Sequence, residues 1–438
     1  MVAITEHTVG STRHRTAYLQ AGAESDPLVV LVHGWPERAI SWRHQITHLA
    51  ELGYLVVAPD MRGYGNSELH AEHRDCAIEE IVGDMLELLG HFGRTSAIWI
   101  GHDWGSPVVW SIASHHPEAA AAVASLCVPY HPGGFTLENL VALVDRDIYP
   151  ADQFPAGQWE HFLFYREQFE RAHEMFEANV ANTVTVLFRR GNPDAIGQPA
   201  ALAFTRIRNG WFGSASEAPD LPIDTDVLDR ASFDVYVEGL SRNGFAGPAS
   251  WYMNDELNAE YASRSLDGGR LDIPVLFIHA RYDQVCETLL SKLAQPMRAS
   301  CRNLDEAIVD SGHWMAQEQP AAVNTALETW LSGLDDHPQD RPSIGSGPAH
   351  GFVSGINSNA RLFMQNRSPV GAGPSAKTCP RCEPQRLHRT SVRTTPRLES
   401  PISSTTSAFF AVEKLGHPLP DSNLVDESNN SAPHAAQQ

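Results

Sequence analysis

Short apolar runs alternate with longer amphipathic stretches along the first three quarters of the chain. Most of the runs are rich in Val, Ile and Leu and end in turn-forming residues, which is typical of strands buried on both faces. The stretches 78–92 and 106–114 have the apolar spacing of helices. The predicted strands are 28–32, 54–59, 97–100, 122–129, 275–280 and 307–310, after an opening hairpin at 8–22. This alternation predicts an α/β fold with a mostly parallel sheet flanked by helices.

The strand pattern gives way to helix-like segments between about 130 and 242. The predicted helices are 159–180, 182–190 and 228–240, separated by loops that contain Pro and Gly. We therefore expect a helical lid inserted into the α/β core. The predicted domains are the first part of the core at 1–130, the lid at 131–250 and the second part of the core at 251–335.

The composition changes at residue 336. Residues 336–438 are rich in Ser, Pro, Asn, Gln and Thr and lack periodic apolar runs, so we expect a disordered tail. The tail contains one C-x-x-C pair, Cys379 and Cys382, with no second pair, and a chance pairing is favoured over a zinc site.

The chain carries a net charge of −21, and the tail contributes none of this excess because it holds ten Lys and Arg against eight Asp and Glu. An acidic catalytic part disfavours nucleic acids and anionic membranes as partners. We see no apolar signal segment, no transmembrane span and no peroxisomal tripeptide, so a cytoplasmic protein with reduced cysteines is expected. The oligomeric state is not predicted.

The most informative segment is the five-residue block Gly101 to Gly105, with Asp103 at its centre. It follows a predicted strand and precedes a predicted helix, which is the setting of a nucleophile elbow. An ordinary tight turn has the same glycine pattern. An aspartate at the centre favours attack on an electrophilic saturated carbon, because a carboxylate forms an ester there.

Three other strand ends carry residues that complete such a site. The loop at 33–37 follows a strand, and the backbone N–H groups of Trp35 and Trp104 are expected to form an oxyanion hole. Asp283 follows the strand 275–280, and His313 follows the strand 307–310. The order nucleophile, acid, histidine predicts a catalytic triad of Asp103, Asp283 and His313. No metal or organic cofactor has a task in this chemistry.

These blocks resemble those of the α/β-hydrolase-fold epoxide hydrolases. The matching blocks are His-Gly-x-Pro at 33–36, Gly-His-Asp-Trp-Gly at 101–105 and Gly-His-Trp at 312–314, and the resemblance extends from the N-terminus to about residue 334. It implies the α/β-hydrolase fold and hydrolysis of a small apolar epoxide to a vicinal diol. Asp103 would form a covalent ester, which water activated by His313 and Asp283 would hydrolyse.

Members of this family also use two lid tyrosines to hold the epoxide oxygen and donate a proton. Tyr252 matches one of them, within the block 247–254. His161 stands where the other is expected, and Tyr165, one helical turn further on, is placed to take over its role. The lid and the neighbouring loops are also expected to bring aromatic side chains together around an apolar pocket. The alternative, in particular for Phe162 and Phe164, is that they pack the lid onto the core. The expected pocket residues are Trp35, Trp104, Phe135, Phe162, Phe164, Tyr165 and Trp251.

Two other functions stay open on these residues. Haloacid dehalogenases of the same fold place a His at the lid position of His161, but they follow the nucleophile with Arg, where this chain has Trp104. Haloalkane dehalogenases have Asn or Glu at the position of Trp35. A catalytically silent relative that binds a small apolar ligand is the other alternative, although it would have no need to keep the complete triad.

Overall fold

The computed structural model describes residues 2–336. Its eight strands form one sheet in the order β1-β2-β4-β3-β5-β6-β7-β8. The strands are β1 (Thr5–Gly10), β2 (Arg15–Ala21), β3 (Leu28–Val32), β4 (Leu55–Pro59), β5 (Ala97–His102), β6 (Ala120–Leu126), β7 (Leu271–Ala280) and β8 (Cys301–Val309). The pairs β1–β2 and β2–β4 are antiparallel and the other pairs are parallel. The predicted α/β fold with a mostly parallel sheet is confirmed.

The centre of the sheet explains where the site lies. All residues of β3, β4, β5 and β6 are buried, as expected of parallel strands covered by helices on both faces. The chain leaves β3 towards β4 on one side and leaves β5 towards β6 on the other side. The loops after β3 and β5 therefore diverge, and such a switch point opens a crevice at the carboxyl ends of the strands.

Fourteen α-helices surround or extend this sheet within the described residues. They are α1 (Arg43–Glu51), α2 (Ile78–His91), α3 (Gly105–His115), α4 (Leu137–Val141), α5 (Glu160–Glu167), α6 (Phe169–Glu177), α7 (Val180–Leu187), α8 (Thr205–Arg208), α9 (Arg230–Asn243), α10 (Ala246–Ser250), α11 (Asp255–Ser263), α12 (Gln295–Ser300), α13 (Met315–Glu318) and α14 (Pro320–Asp336). Helices α4 to α11 lie between β6 and β7 in the chain, where a helical lid is expected. The domain boundaries at 130 and 250 stay predictions.

Local differences from the sequence prediction occur mainly in this inserted part. The helix predicted over 159–180 is divided at Gln168, whose φ of −144° and ψ of 50° are not helical. Strand β8 begins at Cys301 and is longer than predicted, because its exposed polar residues hide the strand pattern.

Some of the sequence predictions lie outside the described residues. These are the tail, from residue 337 onward, and the pair Cys379 and Cys382. The four cysteines that are described carry free thiols and are buried. Among residues 2–336, none of the helices combines the length and the hydropathy that crossing a bilayer requires.

Candidate active site

Asp103 lies on a tight turn between β5 and α3. Its φ of +48° is in the left-handed region that side chains rarely adopt, as expected of a nucleophile elbow. A Cβ atom at Gly105 would lie 2.1 Å from the carbonyl oxygen of Val32, so only glycine lets α3 begin this close to β3. The predicted strand-turn-helix at this block is therefore present.

The loop after β3 holds one oxygen of this carboxylate. The backbone N–H of Trp35 donates to Oδ1 of Asp103 at 2.6 Å. A Cβ atom at Gly34 would lie 2.4 Å from the same oxygen, which explains the glycine in this loop. The N–H of Trp35 thus has the position expected of an oxyanion-hole donor, and the roles of Trp35 and Trp104 stay predictions.

The other oxygen of Asp103 faces the predicted histidine. Nε2 of His313 lies 3.5 Å from Oδ2 of Asp103, and Nδ1 of His313 donates to Oδ2 of Asp283 at 2.7 Å. Backbone N–H groups of Val285 and Cys286 donate to the other oxygen of Asp283, each at 3.0 Å. The structure therefore brings together all three residues of the predicted triad, with the acid held in place by its own loop.

A cavity of about 180 Å³ lies between this triad and the lid. Its wall includes most of the residues expected there, namely Trp35, Trp104, Phe135, His161, Phe162, Tyr165 and Tyr252. Trp251 is an exception, which corrects its prediction as a substrate-binding residue. Its ring packs against Trp104 and Tyr64 and its indole N–H donates to the carbonyl oxygen of Arg62, so it supports the wall from behind. Phe164 also lies outside the wall and packs against Trp211.

Two lid tyrosines are stacked on one another at this cavity. The rings of Tyr165 and Tyr252 are 4.5 Å apart with an angle of 19° between their planes. The hydroxyl of Tyr165 is buried and makes no hydrogen bond to the described residues. Burial, followed by the charge of Asp103, raises the pKa of both phenols well above the usual value. Both side chains are therefore neutral hydrogen-bond donors close to the carboxylate.

Comparisons with known proteins agree with this geometry. The sequence profile of the α/β hydrolase fold matches residues 27–320. Epoxide hydrolase A of Mycobacterium tuberculosis is 32% identical over 339 residues, which cover 76% of this chain and 99% of that protein. The chain belongs to the epoxide hydrolases of the α/β-hydrolase fold.

Other epoxide hydrolases are similar to this chain to a comparable degree. The crystal structure of epoxide hydrolase A from Mycobacterium thermoresistibile is 33% identical, with a TM-score of 0.62 and coverage of 76% of this chain and 99% of that one. Bifunctional epoxide hydrolase 2 of Sus scrofa is 32% identical over 310 residues. Those residues are 70% of this chain and 52% of the pig protein, so the chain matches about half of that relative.

Electrostatics at the triad of this epoxide hydrolase favour a charged histidine in the resting state. Burial lowers the pKa of His313, but Asp283 and Asp103 outweigh it and raise that pKa well above its usual value. Burial raises the pKa of Asp283, but His313 and two backbone N–H groups outweigh it and lower that pKa. His313 is therefore an imidazolium between two carboxylates.

Sequence reasoning missed a second buried ion pair behind the triad. Nδ1 of His102 donates to Oε2 of Glu37 at 2.7 Å, and Nε2 of His102 donates to the carbonyl oxygen of His313 at 2.8 Å. Both partners are acceptors, so both ring nitrogens carry protons. Glu37 also accepts from the N–H of Gly34 at 3.0 Å. A signal was available, since Glu37 lies in the loop after β3 and His102 is the polar last residue of the apolar strand β5.

The pKa values of this pair agree with its geometry. Burial lowers the pKa of His102, but Glu37 outweighs it and raises that pKa well above its usual value. Burial raises the pKa of Glu37, but His102 outweighs it and lowers that pKa to about 2. The pair is therefore ionised and fixes the loops that carry Trp35 and His313.

The lid is attached to the loop that carries the catalytic histidine. The indole N–H of Trp314 donates to the carbonyl oxygen of Leu187 at the end of α7, at 2.7 Å. Glu318 accepts from the N–H of Gly312 at 2.8 Å and from that of Gly191 at 3.1 Å. The end of α7 and the histidine loop are thus joined on both sides of His313.

The structure corrects the expected role of His161 as a catalytic proton donor. Nδ1 of His161 lies 3.2 Å from the carbonyl oxygen of Gln158, which can only accept a hydrogen bond. Burial lowers the pKa of His161 to about 4, against smaller opposing effects of Gln158 and Asp103. The ring is therefore neutral near pH 7, and its one N–H is used within the lid. Tyr165 is the better candidate for the second donor.

Proposed function

We propose that this chain hydrolyses small apolar epoxides to vicinal diols through a covalent ester on Asp103. The observation that carries the proposal is that the two oxygens of the Asp103 carboxylate have different partners. Oδ1 accepts a hydrogen bond from the N–H of Trp35, and Oδ2 faces His313. An oxygen held in this way is ready to become the carbonyl oxygen of an ester, while the other oxygen is free to attack. We also propose a cytoplasmic location, as the sequence predicts.

The first step is an attack by Oδ2 of Asp103 on a carbon of the epoxide ring. The carbon–oxygen bond of the ring breaks, and the ring oxygen takes a proton from Tyr252, with Tyr165 as the second hydrogen-bond donor. Asp103 loses its charge when the ester forms. One of the two carboxylates that raise the pKa of His313 is then neutral, so the imidazolium gives up its proton and the phenolate of Tyr252 takes one up. The second step therefore begins with a neutral histidine and a restored phenol.

The second step is an attack by water on the ester carbonyl of Asp103. His313, oriented by Asp283, takes one proton from this water and returns it to the departing alcohol oxygen. The N–H of Trp35 stabilises the negative charge on Oδ1. The second proton of the water is released when Asp103 ionises again, and it returns His313 to the imidazolium of the resting state. A vicinal diol leaves, and the oxygen of the water stays on Asp103.

A single turnover in heavy-oxygen water, with enzyme in excess over styrene oxide, tests this scheme. We expect the label in the peptide that contains Asp103 and unlabelled oxygen in the first diol. Label that enters the diol directly would contradict the covalent step. Release of halide from a haloacid, without diol formation from any epoxide, would instead favour the dehalogenase alternative.

The variant His313→Gln isolates the intermediate. It should form the ester and hydrolyse it slowly, so the intact protein should gain the mass of one substrate molecule. Asp103→Asn is the matched control and should gain no mass. If His313→Gln releases diol at the wild-type rate, His313 is not the base.

A further inference from the structure

Nδ1 of His161 is hydrogen-bonded within the lid, and this determines the role that its other ring nitrogen, Nε2, can have. Because Nδ1 carries the proton of the neutral ring, Nε2 carries a lone pair and can only accept. Only 5% of the surface of His161 is exposed, and this ring has no other hydrogen bond to the described residues. Since His161 lines the cavity, an acceptor of this kind is open to a donor that a ligand supplies.

This acceptor lies at the reaction centre. His161 lines the same cavity as Asp103 and Tyr252, and its ring centre is 5.7 Å from that of Tyr252. The neighbouring wall is aromatic: the ring of Phe162 lies 5.0 Å from His161 and 5.0 Å from Tyr252. A substrate next to Asp103 therefore meets phenol donors and an imidazole acceptor, with aromatic side chains beside them.

We propose that His161 makes this enzyme prefer epoxides that carry a hydroxyl group on the carbon next to the ring, that is, 2,3-epoxy alcohols. The hydroxyl group donates to Nε2 of His161 while the ring oxygen accepts from Tyr252. This inference rests on the proposed function. The covalent chemistry is unchanged: Asp103 forms the ester, the ring oxygen takes its proton from Tyr252, and the substrate hydroxyl keeps its own proton. The product is a triol.

An enzyme with a tyrosine at position 161 would have the opposite substrate preference, for epoxides without a hydroxyl group. Two phenol donors suit an epoxide whose only polar atom is the ring oxygen, whereas one donor and one acceptor suit a substrate with an additional O–H group. A site built to pair with a hydroxyl group discriminates against substrates that lack the donor, because its own polar atom is then left unpaired.

Matched substrates test the proposal. We would measure kcat/KM for 2,3-epoxyhexan-1-ol and for its methyl ether, which has nearly the same shape but cannot donate. For the wild-type enzyme we expect a ratio in favour of the alcohol of about tenfold, the effect of one net hydrogen bond. A ratio near one, with both probes hydrolysed, would overturn this inference and leave epoxide hydrolysis intact. Absence of any hydrolysis product from both probes and from styrene oxide would overturn the proposed function.

Variants assign the preference to position 161. His161→Phe should bring the ratio close to one, while His161→Gln, which keeps an acceptor, should retain a preference for the alcohol. The matched control is His173→Phe, since His173 is a lid histidine bound to Glu170 and Glu177 outside the cavity wall, and it should keep the wild-type ratio. A high ratio in folded His161→Phe would show that another group binds the hydroxyl. The wild-type ratio decides the preference itself even if this variant fails to fold.

Discussion

The two lid phenols differ in how directly the chain indicates them. Tyr252 follows Trp251 in a block that matches the family, whereas Tyr165 has no such context and is identified by its position in the folded lid. Its hydroxyl is buried, makes no hydrogen bond to the described residues and is affected by the charge of Asp103. A buried donor without a partner needs an explanation, and an epoxide oxygen would satisfy it.

Removing either hydroxyl should slow ring opening. We expect Tyr252→Phe and Tyr165→Phe each to lower kcat by about 10²-fold with little change in KM, because the proton donors act mainly in the transition state. Steady-state kinetics with styrene oxide measure this.

Tyr149→Phe is the control for these variants. Tyr149 is a lid tyrosine outside the cavity wall, and its hydroxyl accepts from the N–H of Ala200. It should keep the wild-type kcat. If Tyr165→Phe behaves like this control, Tyr165 is not the second donor.

At the scale of elements, the site depends on loops at the ends of four strands, β3, β5, β7 and β8. The Glu37–His102 pair joins the loop after β3, the end of β5 and the loop after β8, through Gly34 and the carbonyl oxygen of His313. The side chains that carry these charges have 2% or less of their surface exposed. If one charge is removed, water therefore cannot solvate the partner that is left. The pair is therefore expected to stabilise the fold and the site together.

The variant Glu37→Gln tests this at different pH values. Glu37 has a pKa of about 2 in the folded state against a usual value of 4.5, so its contribution to stability is complete above about pH 4.5 and is lost as the pH falls towards 2. The pKa of His102 is raised, so its contribution is complete below pH 6.5 and is lost as the pH rises through the raised pKa. The destabilisation should therefore be largest between about pH 4.5 and 6.5, at about 3 kcal/mol in the free energy of unfolding.

Urea unfolding at several pH values from 3 to 8 measures this profile. Glu118→Gln is a surface control, because its carboxylate is 75% exposed and lies 3.8 Å from Nδ1 of His116. We expect almost no effect of that substitution. An equal loss of stability in the two variants would contradict a structural role for the buried pair.

At the scale of the whole molecule, the sequence predicts features that local patterns encode, but it does not predict those that depend on long-range packing. Asp103, Asp283 and His313 each follow an apolar strand, so strand ends and chain order were sufficient to assemble the triad. The position of Trp251 behind the wall depends on how the lid packs, and no local pattern encodes it. The ion pair of Glu37 and His102 joins residues 65 positions apart, which is likewise invisible to a local pattern.

The residues after 336 are not needed to build the site. The sheet, the triad and the cavity are all built from residues before 337. We expect a chain that ends after Asp336 to keep the wild-type kcat/KM and the wild-type midpoint of thermal unfolding. Activity assays and a thermal melt measure this, and a loss of activity would show that the C-terminal residues take part in the site.

A chain that ends after Gln319 is the control for this truncation. It lacks α14, in which Val323, Leu327 and Leu331 are buried in the core. Removing this helix exposes the apolar core surface that it covers and should unfold the protein, since each of these side chains contributes about 1.5–3 kcal/mol by its burial. If the shorter chain is as stable as the longer one, α14 is not part of the core.

The hydrogen bond between Trp314 and the end of α7 has a consequence for catalysis. Any outward movement of α7 that admits a bulky molecule must break this bond or pull the neighbouring histidine away from Asp283. While the bond to Trp314 is kept, a displacement of α7 is passed on to the hydrogen bond between His313 and Asp283. The position of this part of the lid and the orientation of the base are therefore coupled.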